Sequence, residues 1–137
     1  MLKFNVEKFY KETNKSHWYN DWSDEIYYMS TFLLKCLPTY SEGKHYWEYR
    51  IKTSKRLNLR IRIGFNHSDG AIFCNYTGET YKDKYKPIIN KSQLDSISSL
   101  FADVISIFIE FGYIIPEPNI VIDKNRESIL SKYELIY

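Results

Sequence analysis

The sequence predicts a single α+β domain spanning residues 1–137, in which helices cover one face of an antiparallel meander of three to four strands. From His45 to Tyr76, apolar and polar residues alternate with a period of two, which is typical of half-buried strands. Before and after this stretch, apolar residues recur at spacings of three and four, which is typical of amphipathic helices. We therefore expect the element order α-α-β-β-β-α, followed by a short C-terminal strand or helix.

The first helix is predicted over about residues 5–13, where Val6 and Phe9 begin a series with helical spacing. The alternation of Leu2, Phe4 and Val6 also fits a short strand, so both interpretations of the first residues stay open.

A second helix is predicted with Asp21 as its N-cap, because an aspartate side chain accepts hydrogen bonds from the free N–H groups of a first turn. Pro38 prevents the helix from running on, since proline has no N–H to donate. Tyr27 and Tyr28 lie away from the apolar stripe, and we expect them to be exposed. The stripe comprises Trp22, Ile26, Met29, Leu33 and Leu37.

Two strands, predicted over residues 45–52 and 57–65, are joined by a short polar connection of hairpin length. Successive side chains of a strand point to opposite faces of its sheet, so this hairpin has one apolar and one basic face. The apolar row comprises Trp47, Tyr49, Ile51, Leu57, Leu59, Ile61, Ile63 and Phe65. The basic row comprises Tyr46, Glu48, Arg50, Lys52, Asn58, Arg60 and Arg62.

The third strand, residues 71–76, follows a turn at Asp69 and Gly70, where glycine adopts a positive φ without steric cost. A register shifted by one residue would exchange the two faces and bring Phe73 inward. The inward row in the favoured register comprises Ile72, Cys74 and Tyr76.

The last long helix is predicted to start at Ser92, with Asp95 three residues later as in a capping box, and to end before Gly112. Its apolar arc is wide, so we expect it to pack centrally on the apolar face of the sheet. Its narrow polar stripe, which we expect to face solvent, comprises Ser92, Asp95, Ser99, Asp103, Ser106 and Glu110.

Three further segments are short. Residues 81–86 alternate tyrosine and lysine, which fits an edge strand or an extended loop and would also suit single-stranded nucleic acid. Residues 119–122 are predicted to add a short strand, and residues 124–134 a last helix.

Charge is distributed unevenly along the chain. The net charge is +2, but residues 44–62 hold seven lysines and arginines against one acid, whereas residues 92–137 hold seven acids against three basic side chains. A strand face with this excess of one sign is predicted to bind a partner with an acidic surface. The alternatives are a solvated face, a guard against strand pairing, and neutralisation by the acidic end of the chain. The predicted partner-binding residues are Tyr46, Arg50, Lys52, Arg60 and Arg62.

The sequence contains no phosphate-binding glycine loop, no CxxC, HExxH or GxSxG motif, and no histidines close together in the chain. We therefore expect no cofactor, no metal and no catalytic residues. Cys36 and Cys74 are predicted to be reduced, buried thiols of a cytoplasmic protein, because no secretory leader or membrane-spanning segment is recognisable. The predicted function is protein–protein interaction, as an inhibitor or immunity protein of a bacterium or phage that binds a toxin or nuclease.

The alternative is RNA binding or RNA cleavage on the same basic face. His45 is expected to approach Arg60 or Arg62 across the sheet, and imidazole beside guanidinium can cleave RNA by acid–base catalysis with phosphate stabilisation. The order helix, helix, three strands is similar to the layout of RelE-like ribonuclease toxins. No sequence motif assigns the chain to a family.

Overall fold

The computed structural model describes residues 2–52, 58–79, 84–85 and 90–115, and it confirms the predicted α+β class with helices before and after an antiparallel sheet. The helical elements are α1 (Val6–Thr13), α2 (Asp24–Tyr28), which continues as a π-helical turn (Met29–Leu33), and α3 (Lys91–Glu110). The strands are β1 (Thr39–Ser41), β2 (Lys44–Lys52), β3 (Asn58–Asn66), β4 (Ile72–Glu79) and β5 (Lys84–Tyr85).

The five strands lie in chain order, each antiparallel to the next. In the register observed, Ile63 lies between Trp47 of β2 and Cys74 of β4. Cys74 therefore faces the core together with its neighbours in the predicted inward row, and the favoured register of the third strand is confirmed. Gly70 adopts the positive φ expected for the turn before this strand, at +76°.

The first residues form both structures that their sequence allows, an extended segment and then a helix. Phe4 lies in an extended bridge, where its N–H donates to the carbonyl of Gly70 at 2.8 Å and its own carbonyl accepts from the N–H of Val6 at 3.0 Å. Its ring stacks on Phe65 with centroids 3.9 Å apart, beneath the sheet. Helix α1 begins immediately afterwards, because the Asn5 side chain accepts a hydrogen bond from the N–H of Lys8.

The core lies between the sheet and the helices, and Trp47 is its largest fully buried side chain. Its ring packs against Phe4 at 6.2 Å and against Phe108 of α3 at 5.1 Å between centroids. Its indole N–H donates to the buried hydroxyl of Ser30 at 3.3 Å. A buried polar group needs such a partner, so this bond fixes the π-helical turn against β2.

The start of α2 differs from the prediction. Asp21 lies in a 3₁₀ turn and accepts a hydrogen bond from the hydroxyl of Ser16, while Ser23 caps the helix by accepting from the N–H of Ile26. The apolar stripe also shifts by one residue, because the N–H of Leu34 donates to the carbonyl of Met29 across a π-helical turn. Leu34, instead of Leu33, is therefore fully buried.

The N-cap of helix α3 is Asn90, two residues before the predicted cap Ser92. Asn90 and Gln93 form a reciprocal capping box, each side chain accepting from the other's backbone N–H. By length and composition α3 is apolar enough to cross a membrane, but one side of it packs in the core. Asp103 is buried, contrary to the predicted solvent-facing stripe. Gly112 follows its end with a φ of +76°, as predicted.

Some predicted elements lie outside the described residues. They are the strand at 119–122, the helix at 124–134 and, with them, the acidic end of the chain. Within the segment 81–86, Lys84–Tyr85 form the short edge strand β5, which was one of the two structures predicted there.

Candidate functional site

The strand register brings the predicted partner-binding residues together on the face of the sheet that points away from the helices, called here the outer face. Glu48 of β2 lies opposite Arg62 of β3, and Arg50 lies opposite Arg60. The Glu48 carboxylate accepts a hydrogen bond from Nε of Arg62 at 2.9 Å. It also lies 3.6 Å from a guanidinium nitrogen of Arg50 and 3.6 Å from one of Arg60. Three arginines thus surround one carboxylate.

These residues differ in how far they reach the surface. The Arg62 guanidinium lies 4.5 Å above the centroid of the Tyr46 ring, and Tyr46 is only 7% exposed. The Arg60 side chain is 11% exposed, whereas that of Arg62 is 36% exposed and Lys52 is open to solvent. Tyr46 and Arg60 therefore support the site from beneath, and Arg62 and Lys52 present its charge.

The outer face brings three guanidinium groups close to one another. A partly exposed ion pair contributes only about 0.2–1 kcal/mol to stability, so Glu48 binds its arginines modestly. Among the described residues, the carboxylate of Glu48 pairs with Arg50, Arg60 and Arg62 together. Like charges that lie directly opposite each other on a sheet, as Arg50 and Arg60 do, are mildly destabilising.

His45 does not lie near these arginines, so the predicted catalytic arrangement is wrong. It belongs to the odd-numbered row of β2 that faces inward, and its ring stacks on Phe65 with centroids 5.1 Å apart. Arg60 and Arg62 project from the opposite face because alternate residues of a strand point to opposite sides. A ribonuclease site on the outer face would therefore lack the imidazole of His45.

All three histidines of the chain meet instead at the inner edge of the sheet, beside α1. The ring of Tyr40 contacts each of them, with centroids 4.8 Å from His45, 5.6 Å from His67 and 5.4 Å from His17. Tyr10 of α1 is hydrogen-bonded through its hydroxyl to His67. We call the space that these residues line the histidine cleft, and its volume is about 640 Å³.

Burial perturbs the titration of one of these imidazoles. Nδ1 of His67 and Nε2 of His45 lie 3.4 Å apart, and His45 is almost fully buried. Loss of solvation, followed by the proximity of His67 and of His17, lowers the pKa of His45 to about 4. His45 is therefore neutral at pH 7, and its ring can both donate and accept a hydrogen bond.

Sequence reasoning missed the histidine cleft, although part of the signal was present. The predicted hairpins place His45 at the start of one strand and His67 just after the end of its neighbour, and the N–H of His67 donates to the carbonyl of Gly43. Tyr40 pairs with His45 across the β1–β2 hairpin. The sequence does not predict that His17 and Tyr10 lie near His45 and His67. They come close only because α1 packs on the sheet.

The described residues offer no site for a metal ion and no reactive thiol. In that part of the chain, no group of three histidine, cysteine, aspartate or glutamate side chains could hold a metal ion. Cys36 and Cys74 are free thiols, and burial raises the pKa of Cys36 to about 12 and that of Cys74 to about 11. Both are therefore protonated, weak nucleophiles.

A third surface is aromatic and lies in the segment from residue 18 to residue 40. Trp18 is 73% exposed and Phe32 is 60% exposed, and the ring of Phe32 stacks on that of Tyr28. The prediction that Tyr27 and Tyr28 are exposed is confirmed. Aromatic side chains open to solvent in such number are typical of surfaces that contact other proteins.

The fold and these surfaces define an α+β domain whose sheet carries arginines on one face and histidines at the edge of the other. The chain matches no protein-family model, no curated protein and no solved structure. Its function therefore has to be argued from the sites themselves.

Proposed function

We propose that this protein is a non-catalytic recognition module of the inhibitor or immunity type, which binds a toxin or nuclease through an acidic surface of that partner. The observation that carries the proposal is the group of arginines held around the carboxylate of Glu48 on the outer face, with Arg62 and Lys52 reaching solvent. The ion pairs with Glu48 and the stacking of Arg62 on Tyr46 hold the guanidinium groups in place. A charged surface that is already ordered loses little side-chain entropy on binding.

Charge complementarity has a kinetic consequence. Arg62 and Lys52 present positive charge at the surface, so they would steer an acidic partner during encounter. Rim charges of this kind act mainly on the association rate, and salt screens them over about 8–10 Å. Binding through the outer face therefore becomes slower and weaker as ionic strength rises.

The aromatic surface supports a protein as the partner class. Trp18, Tyr28 and Phe32 are large and exposed, and such side chains give contact area at a low cost in conformational entropy. Tryptophan and tyrosine also dominate the energetics of many protein interfaces. The molecule thus offers both a charged surface for encounter and an aromatic surface for close packing.

The proposal is tested by capture from an extract of the source cells, with and without nuclease treatment. The immobilised wild type is compared with Lys52→Gln plus Arg62→Gln, which removes two charges from the outer face. A control with Lys11→Gln plus Lys91→Gln removes two charges from exposed positions elsewhere. Each captured protein is identified, purified and titrated against the three chains at increasing salt.

We expect one protein to bind the wild type and the control alike, and the outer-face variant about tenfold more weakly. If that protein is a toxin or nuclease, equimolar wild type should abolish its activity. Equal affinity for all three chains would remove the outer face as the binding surface. Loss of all capture after nuclease treatment would reject a protein partner in favour of nucleic acid, whose binding falls steeply with salt.

We also propose a cytoplasmic location, where a reducing environment keeps both thiols free. Fractionation of the source cells tests this, and recovery of the protein outside the cytoplasm would contradict it.

A further inference from the structure

The histidine cleft takes no part in the recognition function proposed above, because it lies on the other side of the sheet from the arginines. We propose that it binds a small anion carrying a flat aromatic ring, of the class of nucleoside monophosphates. This inference rests on the cleft alone and stands or falls independently of the outer face.

The cleft has the dimensions of a small-molecule site. Its volume of about 640 Å³ lies within the range of about 300–1,000 Å³ that is usual for ligand pockets. It is built between α1, the loop that follows α1, and the strand ends of the sheet, so its walls come from separate parts of the chain. His45 lies at its base, and the exposed His17 and His67 lie at its rim.

The polar groups of the cleft favour a negative charge. Lys15 contributes an ammonium group, and no aspartate or glutamate is among the described residues that line the cleft. Asp21 lies behind the lining, where its carboxylate accepts a hydrogen bond from the hydroxyl of Ser16, and it keeps its negative charge. An anion in the cleft therefore meets Lys15 and the histidines as lining groups, with no carboxylate among the described lining residues.

The remaining wall is aromatic. Phe9, Tyr10, Trp22 and Tyr40 all line the cleft, and bases stack readily on side chains of this kind. The hydroxyl of Tyr10 and the imidazole of His67 already form a hydrogen-bonded pair at one side. A ligand with a planar ring and an attached phosphate would use both parts of the cleft, the rings for its base and Lys15 for its charge.

His45 adds selectivity at the base of the cleft. Its burial lowers its pKa to about 4, so at pH 7 the ring is neutral. Its Nε2 already lies 3.4 Å from Nδ1 of His67, which leaves one ring nitrogen as a donor or acceptor for a ligand. The cleft thus has a charged rim and a neutral, polar floor.

The test is calorimetric titration of the full chain with adenosine monophosphate, adenosine and inorganic phosphate, together with amide chemical-shift mapping. The key variant is Lys15→Asn, which removes the ammonium and suits the φ of +55° at this position. Its control is Lys11→Gln, a neighbouring exposed lysine that does not line the cleft. The double variant Lys52→Gln plus Arg62→Gln shows whether the outer face binds the same probes.

We expect the monophosphate to bind at least about tenfold more tightly than adenosine or phosphate, with shifts at residues lining the cleft. Lys15→Asn should weaken binding about tenfold, whereas the control and the outer-face variant should stay within about twofold of the wild type. Three results would overturn the inference: no saturable binding of any probe, equal binding of adenosine and its monophosphate, or shifts confined to the outer face. Wild-type affinity in Lys15→Asn, confirmed as folded by circular dichroism, would also reject it.

Discussion

The outer face and the histidine cleft are sites on two sides of one sheet, and they assemble in different ways. Glu48, Arg60 and Arg62 come from two adjacent strands, and their arrangement follows from strand register alone. The cleft instead collects side chains from α1, the loop after it, β1, β2 and the turn after β3. A local pattern can predict the first kind of site. The second kind exists only once the helices have packed.

The two regions also differ in solvation. The ion pairs of the outer face are partly exposed, so water and salt weaken them. His45 is almost fully buried among aromatic rings, so the low local dielectric acts on it strongly. The outer face should therefore respond mainly to ionic strength, and the cleft mainly to pH. Four substitutions test this division, taken from the largest expected effect to the smallest.

Gly64→Ala should damage both regions at once. Gly64 lies opposite Tyr46 on the adjacent strand, and a Cβ there would lie only 1.9 Å from the carbonyl oxygen of His45. The strands would have to separate, which we expect to lower the free energy of unfolding by about 3 kcal/mol or more. Urea denaturation measures this loss.

The matched control for that variant is Gly43→Ala, because nothing lies within 4 Å of a Cβ at Gly43. Its φ of +75° costs about 1–2 kcal/mol for an L-residue. If Gly64→Ala were no more destabilising than Gly43→Ala, the close approach of β2 and β3 described here would be wrong.

Acid should weaken the fold through His45. A histidine whose pKa is about 4 in the folded state and about 6.5 in the unfolded chain binds its proton more readily when unfolded. Its contribution is therefore fully present above pH 6.5 and is lost as the pH falls towards 4. We expect the loss to be on the order of 2 kcal/mol, below the upper limit set by the full difference in pKa.

The pH effect is isolated by comparing wild type with His45→Gln at pH 7 and at pH 4.5. The wild type should lose more stability than the variant over this interval, because glutamine does not titrate. An equal loss in both proteins would show that other groups account for the acid sensitivity.

Glu48→Gln should destabilise the outer face without affecting the cleft. Loss of the carboxylate leaves the neighbouring guanidinium groups to repel one another, at a cost of about 1 kcal/mol at low salt. High salt should reduce the cost, since these side chains are half-exposed. Glu25→Gln, which breaks the exposed pair with Lys8, serves as a control and should cost less. A cost that does not change with salt would argue against an electrostatic origin.

Lys52→Gln should have the smallest effect on stability. Lys52 ends β2 and is exposed, so we expect a change within about 0.5 kcal/mol. A larger loss would mean that this lysine has a structural role on the outer face in addition to presenting charge. Its effect on partner binding should exceed its effect on folding.

The outer face and the helices differ in how well the sequence predicts them. Period-two alternation was enough to assign Glu48 and Arg62 to one face and Ile63 to the other, because side-chain direction in a strand is a local property. Helix α2 was predicted less well, since the π-helical turn that buries Leu34 in place of Leu33 leaves no recognisable pattern. The capping box at Asn90 was present in the sequence, but the competing Ser92 has the same spacing to an acid.

The histidine cleft as a whole could not be predicted from the sequence. The pairing of β2 with β3 brings His45 and His67 near each other, but no rule of spacing brings in His17, which lies more than twenty residues before His45. Their convergence depends on the packing of Phe9 and Tyr10 of α1 against the sheet edge. Tertiary packing of this kind cannot be read from periodicity.

The most direct test of the account is an NMR titration of the three imidazoles in wild type and in Arg62→Gln. His45 lies on the inner face of the sheet, away from the arginines, so its pKa should lie near 4 and should not change when Arg62 loses its charge. A pKa for His45 near 6.5, or one that rises clearly in Arg62→Gln, would contradict the separation of the two faces.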